Sequence, residues 1–117
     1  MSAGTPKELP LEVTVHDLQR ALDEGSAAGK PVVVDVREPW EADIAKIEGA
    51  TLMPLGEFVE HAKALDPAQP VYVYCHHGGR SLQATMWLRR NGFDKATNVK
   101  GGIDAWSMEI DPAVARY

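Results

Sequence analysis

The stretch Cys75-His76-His77-Gly78-Gly79-Arg80-Ser81 brings a thiol, two imidazoles, two glycines, a guanidinium and a hydroxyl into one short loop. Cys75 is the only cysteine of the 117 residues, and it closes the apolar run Val71-Tyr72-Val73-Tyr74. A helical pattern opens at Leu82. A strand that stops at a thiol and turns through glycines into a helix builds an anion-binding cup. Backbone N–H groups converge there, and the positive end of the helix dipole faces the sulfur. Such surroundings favour the thiolate, the nucleophilic form of cysteine. Gly78 and Gly79 permit positive φ and a close approach of backbone to a bound anion. Arg80 adds a permanent charge and a forked donor set that suits an oxyanion. Ser81 is expected at the helix N-cap, with its hydroxyl in reach of the anion or of Cys75. A cysteine after an apolar strand is by itself an ordinary core residue. The Gly-Gly-Arg-Ser that follows is what makes this one a functional thiolate.

His76 and His77 have two readings: donor binding or proton management near neutral pH, and solvent-facing residues that tune the local potential. Together with Cys75 they lack the spaced ligand pairs of a structural zinc site, so no metal is expected, and no cofactor either. Asp35 and Arg37 close a second apolar run, where charges near a core need partners. They are read as an ion-paired support of the neighbouring loops rather than as proton-transfer groups. His16 and His61 fall on helical segments as surface residues, and Trp40, Trp87 and Trp106 are read as packing residues.

The elements that must hold this loop follow from periodicity. Leu11-Glu12-Val13 reads as a short edge strand. Thr14, with Asp17 three residues on, resembles a capping box. The helix it opens carries Leu18, Ala21 and Leu22 on one face and stops at Gly25. Val32-Val33-Val34-Asp35-Val36 is a continuous β-branched run, the pattern of a strand buried on both faces. Pro39 suits the first turn of a short helix bearing Trp40 and Ile44. Ala50-Thr51-Leu52-Met53 is a further strand, and the spacing of Leu55, Phe58, Val59, Ala62 and Leu65 predicts an amphipathic helix. After the strand before Cys75, a helix runs from Ser81 to about Asn91. Gly92 is its left-handed cap, and Phe93 packs back on the last turn. Thr97-Asn98-Val99 is the last strand, and Gly101-Gly102 leads into a helix with Ile103 and Trp106. Strands alternating with helices imply a three-layer α/β fold, a parallel sheet covered on both faces. Ligands of such sheets bind beyond the carboxyl ends of the strands, where Cys75 lies.

Residues 1–10 are read as a loosely ordered leader, and 11–117 as one domain with a tail from Asp111 to Tyr117. The chain is 44% hydrophobic and 25% charged, with a formal net charge of −5. That balance is ordinary for a soluble domain and argues against general affinity for nucleic acid or anionic membrane. One cysteine leaves no internal disulfide, and neither a signal-like apolar stretch nor a membrane span is found. The expected compartment is therefore reducing and cytoplasmic.

The pattern Cys75-x-x-x-x-Arg80-Ser81 resembles the active-site loop of the rhodaneses, sulfurtransferases that carry sulfane sulfur as a cysteine persulfide. Asp35-Val36-Arg37-Glu38-Pro39-Trp40-Glu41 is similar to the family's early strand-to-helix signature, and Gly101-Gly102-Ile103-Asp104-Ala105-Trp106 to its late one. The resemblance runs from about Val13 to Trp106 and implies about five parallel strands with helices on both sides. It also implies a two-step reaction. The Cys75 thiolate takes the outer sulfur of a donor such as thiosulfate, and cyanide, a thiol or a partner protein then removes it. Loop N–H groups from His76 to Ser81, with Arg80 and the Ser81 hydroxyl, would hold the anion. Single donors of this kind are worth about 2.7–4 kcal/mol in oxyanion holes. One stretch departs from the family pattern. Where rhodaneses often carry Gly-His-Ile-Pro-Gly-Ala, this chain has Ala45-Lys46-Ile47-Glu48-Gly49-Ala50.

Two alternatives remain at this stage. Cysteine phosphatases and arsenate reductases of the same fold use Cys-x5-Arg, a loop one residue longer that encircles a larger oxyanion. The smaller cup here suits a persulfide sulfur better. The other alternative is a non-catalytic module that binds an anion or a partner, against which the intact Cys75 and Arg80 speak.

Overall fold

The computed structural model describes residues 9–24 and 31–117. The first eight residues of the expected leader and Gly25, the expected helix stop, lie outside the described residues. Five strands, β1 (Glu12–Val13), β2 (Val32–Asp35), β3 (Thr51–Leu52), β4 (Val71–Tyr74) and β5 (Ala96–Val99), form one sheet in the order β1-β5-β4-β2-β3. Every pairing is parallel. The helices are α1 (Val15–Glu24), α2 (Pro39–Ile44), α3 (Phe58–Ala62), α4 (Gly79–Arg90) and α5 (Gly102–Glu109).

Strand periodicity divides the core. Val71, Val73 and Cys75 point to one face and pack with Phe58, Ala62, Ala84 and Leu88 of α3 and α4. Tyr72 and Tyr74 point to the other and pack with Val15, Leu18, Ile103 and Trp106 of α1 and α5. Both faces of β4 are therefore covered, as its uninterrupted apolar run requires. From β2 the chain moves outward to β3, crosses back over β2 to β4, and continues in the opposite direction to β5. The boundary between β2 and β4 is thus the topological switch point, and the carboxyl ends of these two strands carry Asp35-Arg37 and Cys75.

Several local expectations hold. Thr14 and Asp17 form a reciprocal capping box, the Asp17 N–H donating to Thr14 Oγ1 at 3.1 Å and the Thr14 N–H to Asp17 Oδ2 at 2.9 Å. Gly92 is left-handed, and the Phe93 N–H returns to the Leu88 carbonyl at 3.0 Å. Other expectations are corrected. Leu22 is exposed, because Val15 and Leu18 supply the buried face of α1. The expected long helix after Pro54 is a 3-10 turn, Leu55–Glu57, followed by the short α3, and Val59 lies outside the core. Trp40 is 60% exposed and Ile44 is exposed as well, so α2 buries Glu41 instead of its apolar residues.

Candidate active site

Cys75 is 1% exposed and sits directly after β4, where the chain turns away from the sheet. Three donors point at its sulfur: the Gly78 N–H at 3.1 Å, the Ser81 N–H at 3.4 Å and the Ser81 hydroxyl at 3.3 Å. The N-cap of α4 is Gly78, not the expected Ser81, which lies in the first turn. The reason is the sulfur itself. Sγ accepts the N–H of the third helical residue, the bond that a capping side-chain oxygen ordinarily takes. Gly78 reaches this geometry with φ +114°, open to glycine. Of the loop N–H groups expected to face the anion, those of Gly78 and Ser81 meet the sulfur.

Behind the sulfur stands Asn98 on β5, a residue that the loop sequence does not reveal. Ser81 Oγ lies 2.5 Å from Asn98 Oδ1, and Asn98 Nδ2 donates to Glu12 Oε2 at 2.8 Å and to the Gly78 carbonyl at 3.2 Å. Asn98 therefore fixes both the turn at Gly78 and the hydroxyl that faces Cys75. The Ser81 proton has two acceptors, Asn98 Oδ1 and Sγ. It can turn to the sulfur when charge develops there and return to the amide when it does not.

The other wall of the site is a charge network. Arg80 forms a bidentate pair with Glu41, Nη1 to Oε2 at 2.7 Å and Nη2 to Oε1 at 2.9 Å. Its fork, expected to face an anion, is engaged by a carboxylate. Glu41 also accepts the Glu38 N–H at 2.9 Å and the Tyr117 hydroxyl at 2.8 Å, which places two donors on each oxygen. Arg37 is completely buried. It donates to both oxygens of Asp35, at 2.8 and 2.6 Å, to the carbonyls of Glu41 and Ala45, at 3.3 and 2.7 Å, and to Tyr117 Oη at 2.9 Å. The Tyr74 hydroxyl donates to Asp35 Oδ2 at 3.0 Å and accepts the Ile47 N–H at 3.2 Å. Glu41 and Tyr117 escape sequence reasoning because their partners lie far along the chain.

Hydrogen bonds from Arg80, more than offsetting the cost of burial, hold the Glu41 carboxyl down at about 2 against an ordinary value of 4.5. A carboxylate depressed in the folded state stabilises the fold above its unfolded value, and that stability is lost as pH falls through the folded value. Between pH 4.5 and 2 Glu41 is expected to account for a loss of the order of 3 kcal/mol. Asp17 and Asp104 are also depressed, so wild type alone does not isolate the effect. Urea unfolding of Glu41→Gln at pH 6 and pH 3 does. The variant should be less stable than wild type at pH 6, and the difference should shrink at pH 3; a difference independent of pH would refute the assignment.

His76 and His77 stack on each other with ring centroids 3.9 Å apart, and the Tyr117 ring stacks on His76 at 3.9 Å and 7°. Burial, reinforced by the neighbouring His77, pushes the His76 imidazole below its ordinary value, which favours a neutral ring at pH 7. His77 is exposed, with Nε2 3.9 Å from Asp104 Oδ2. Helix α5 abuts the loop from the far side. The Ile103 N–H donates to the Cys75 carbonyl at 2.9 Å and the Asp104 N–H to the His76 carbonyl at 3.1 Å. A Cβ on Gly102 would fall 2.3 Å from the Cys75 carbonyl oxygen and 2.6 Å from that of His76. Only glycine lets α5 come this close.

The family described as Rhodanese-like domain matches residues 14–109. The Rhodanese-like/PpiC domain-containing protein 12, chloroplastic, of Arabidopsis thaliana is 34% identical over 110 residues, which cover 91% of this chain and 37% of the plant protein. The probable adenylyltransferase/sulfurtransferase MoeZ of Mycobacterium tuberculosis is 35% identical over 107 residues, covering 90% of this chain and 26% of that protein. The chain thus spans only a minor part of these relatives. A rhodanese-related protein from Thermoplasma volcanium superposes with a TM-score of 0.77 at 30% identity, over 92% of this chain and 100% of its own.

Proposed function

The chain belongs to the rhodanese-like domain family, and on that footing we propose that it transfers sulfane sulfur through a persulfide on Cys75. The observation that carries this reading is the placement of three donors on a lone buried thiol at the start of α4. In the first step the Cys75 thiolate attacks the outer sulfur of a donor such as thiosulfate. A Cys75–sulfur bond forms, the sulfur–sulfur bond of the donor breaks, and sulfite leaves with the electron pair. In the second step cyanide, a thiol or a protein partner attacks the terminal sulfur and returns the Cys75 thiolate. Both resting states carry one negative charge near the same three donors, so little reorganisation accompanies each transfer.

Arg80 stands beside the loop with its charge matched by Glu41. A dianionic donor that enters competes with that carboxylate for the same two N–H groups. The backbone donors and the Ser81 hydroxyl therefore carry most of the anion binding, and Arg37, held by Asp35, ties the end of α2 and Tyr117 beside the site. No helix among the described residues is long and apolar enough to cross a membrane. A free catalytic thiol belongs in a reducing compartment, which supports the cytoplasmic placement.

Intact mass spectrometry after incubation with thiosulfate tests this reading. Wild-type protein is expected to gain one sulfur atom and to lose it when cyanide is added, with thiocyanate released. Absence of the adduct with thiosulfate and with organic persulfides would refute sulfur transfer.

A further inference from the structure

The tail after α5 returns to the site. The Asp111 N–H donates to the Trp106 carbonyl at 2.9 Å, Ser107 Oγ donates to the Val114 carbonyl, and Arg116 Nε pairs with Asp104 Oδ1 at 3.0 Å. These ties deliver Tyr117 into the space between the thiol loop and α2. Its hydroxyl donates to Glu41 and accepts from Arg37, the polarity that a single phenol can satisfy between a carboxylate and a guanidinium. It links the buried pair Asp35–Arg37 to the pair Glu41–Arg80, which joins α2 to α4. Its ring lies flat on His76, the residue that follows the nucleophile, and meets Trp40 edge-on at 6.3 Å. Trp40, exposed on α2, has its aromatic neighbour here.

We propose that Tyr117 is a positioning residue of the active site, which holds the start of the thiol loop through its ring and the Glu41–Arg80 pair through its hydroxyl. The proposal rests on the sulfurtransferase reading only for its kinetic consequences; the hold on the loop is independent of any reaction. The two contacts act on different quantities. The ring restrains His76 and so the opening of the backbone around the buried Cys75. The hydroxyl fixes the carboxylate that competes with an incoming anion for Arg80.

Two variants of the full chain separate them. Tyr117→Leu removes both contacts and keeps apolar bulk, and Tyr117→Phe removes only the hydroxyl. Alkylation of Cys75 by iodoacetamide reports loop opening without any sulfur donor, and urea unfolding reports global stability. In Tyr117→Leu the alkylation rate is expected to rise about five- to tenfold, the factor carried by one aromatic pair. That rise should exceed any increase in the global unfolding constant. Tyr117→Phe should stay within about twofold of wild type in alkylation while the KM for thiosulfate changes more than kcat. A wild-type alkylation rate in Tyr117→Leu would overturn the proposal. An acceleration equal to the change in global unfolding would overturn it too, since Tyr117 would then be structural only. If the mass-spectrometric adduct fails while the alkylation pattern holds, the sulfurtransferase reading falls and the positioning role stands.

Discussion

Cys75→Ala is expected to abolish sulfur transfer, with kcat/KM for thiosulfate falling by about six orders of magnitude, the scale on which loss of a catalytic nucleophile acts. The loss is chemical rather than structural. Cys75 is a small buried group, and removing its sulfur leaves a minor cavity whose cost is about 1 kcal/mol. The N–H groups of Gly78 and Ser81 lose a weak sulfur acceptor and remain at the start of α4. Cys75→Ser keeps an acceptor at this position and so restores the cap on α4. It cannot restore the reaction, because a serine hydroxyl at neutral pH neither attacks sulfane sulfur nor carries it as a persulfide. Both variants should unfold in urea close to wild type and show no sulfur adduct by mass. Substantial thiosulfate:cyanide activity in either would remove Cys75 from the mechanism. Aryl phosphate hydrolysis by wild type, lost in Cys75→Ser and with no sulfur transfer beside it, would favour the phosphatase chemistry of the longer loop.

What the sequence shows of this site is what lies close together in the chain. The β4 run, the Gly-Gly turn and the helix after it are local patterns, and they place Cys75 at a strand end facing donors. The parallel sheet follows from the alternation of strands and helices, whereas the order that puts the switch point between β2 and β4 rests on pairings distant in the chain. The N-cap is not legible, because a cysteine four residues before the first helical residue looks like no ordinary cap. Glu41 falls within the early signature, but nothing in its neighbours assigns it a role. In α2, Trp40 and Ile44 read as the apolar positions, whereas four hydrogen-bond donors from Arg80, Glu38 and Tyr117 make burial of a carboxylate favourable. Asn98 is one residue of a short strand in the sequence, and only the pairing of β5 with β4 brings it behind Ser81. The segment from Ala45 to Ala50 that departs from the family pattern keeps its place through Arg37, Tyr74 and left-handed Gly49.

Arg37→Met is expected to destabilise the domain by about 3–5 kcal/mol, the cost of leaving a buried charge without its partner. Domains of this kind are stable by about 5–15 kcal/mol in all, so the variant should unfold at a much lower urea concentration with a similar slope. Burial works against the Arg37 charge, but hydrogen bonds to Asp35 and Tyr117 and the charge of Asp35 outweigh it and raise its pKa. With the guanidinium gone, the buried Asp35 carboxylate keeps, among the described residues, only the Tyr74 hydroxyl and the backbone N–H of residue 37. The Ala45 carbonyl loses its guanidinium donor and the Glu41 carbonyl keeps only the Ala45 N–H, which loosens the helix that carries Glu41 to Arg80. Arg37→Lys should not rescue it, because one ammonium cannot span five acceptors arranged for a planar fork. The informative partner is Asp35→Leu. Replacing both members of a buried pair by apolar residues removes the stranded charge, so Arg37→Met with Asp35→Leu should cost clearly less than the two single changes added together. Strict additivity in that cycle would mean that the pair is not the source of the loss. A cost below about 1 kcal/mol for Arg37→Met alone would mean that the buried network contributes little to the fold.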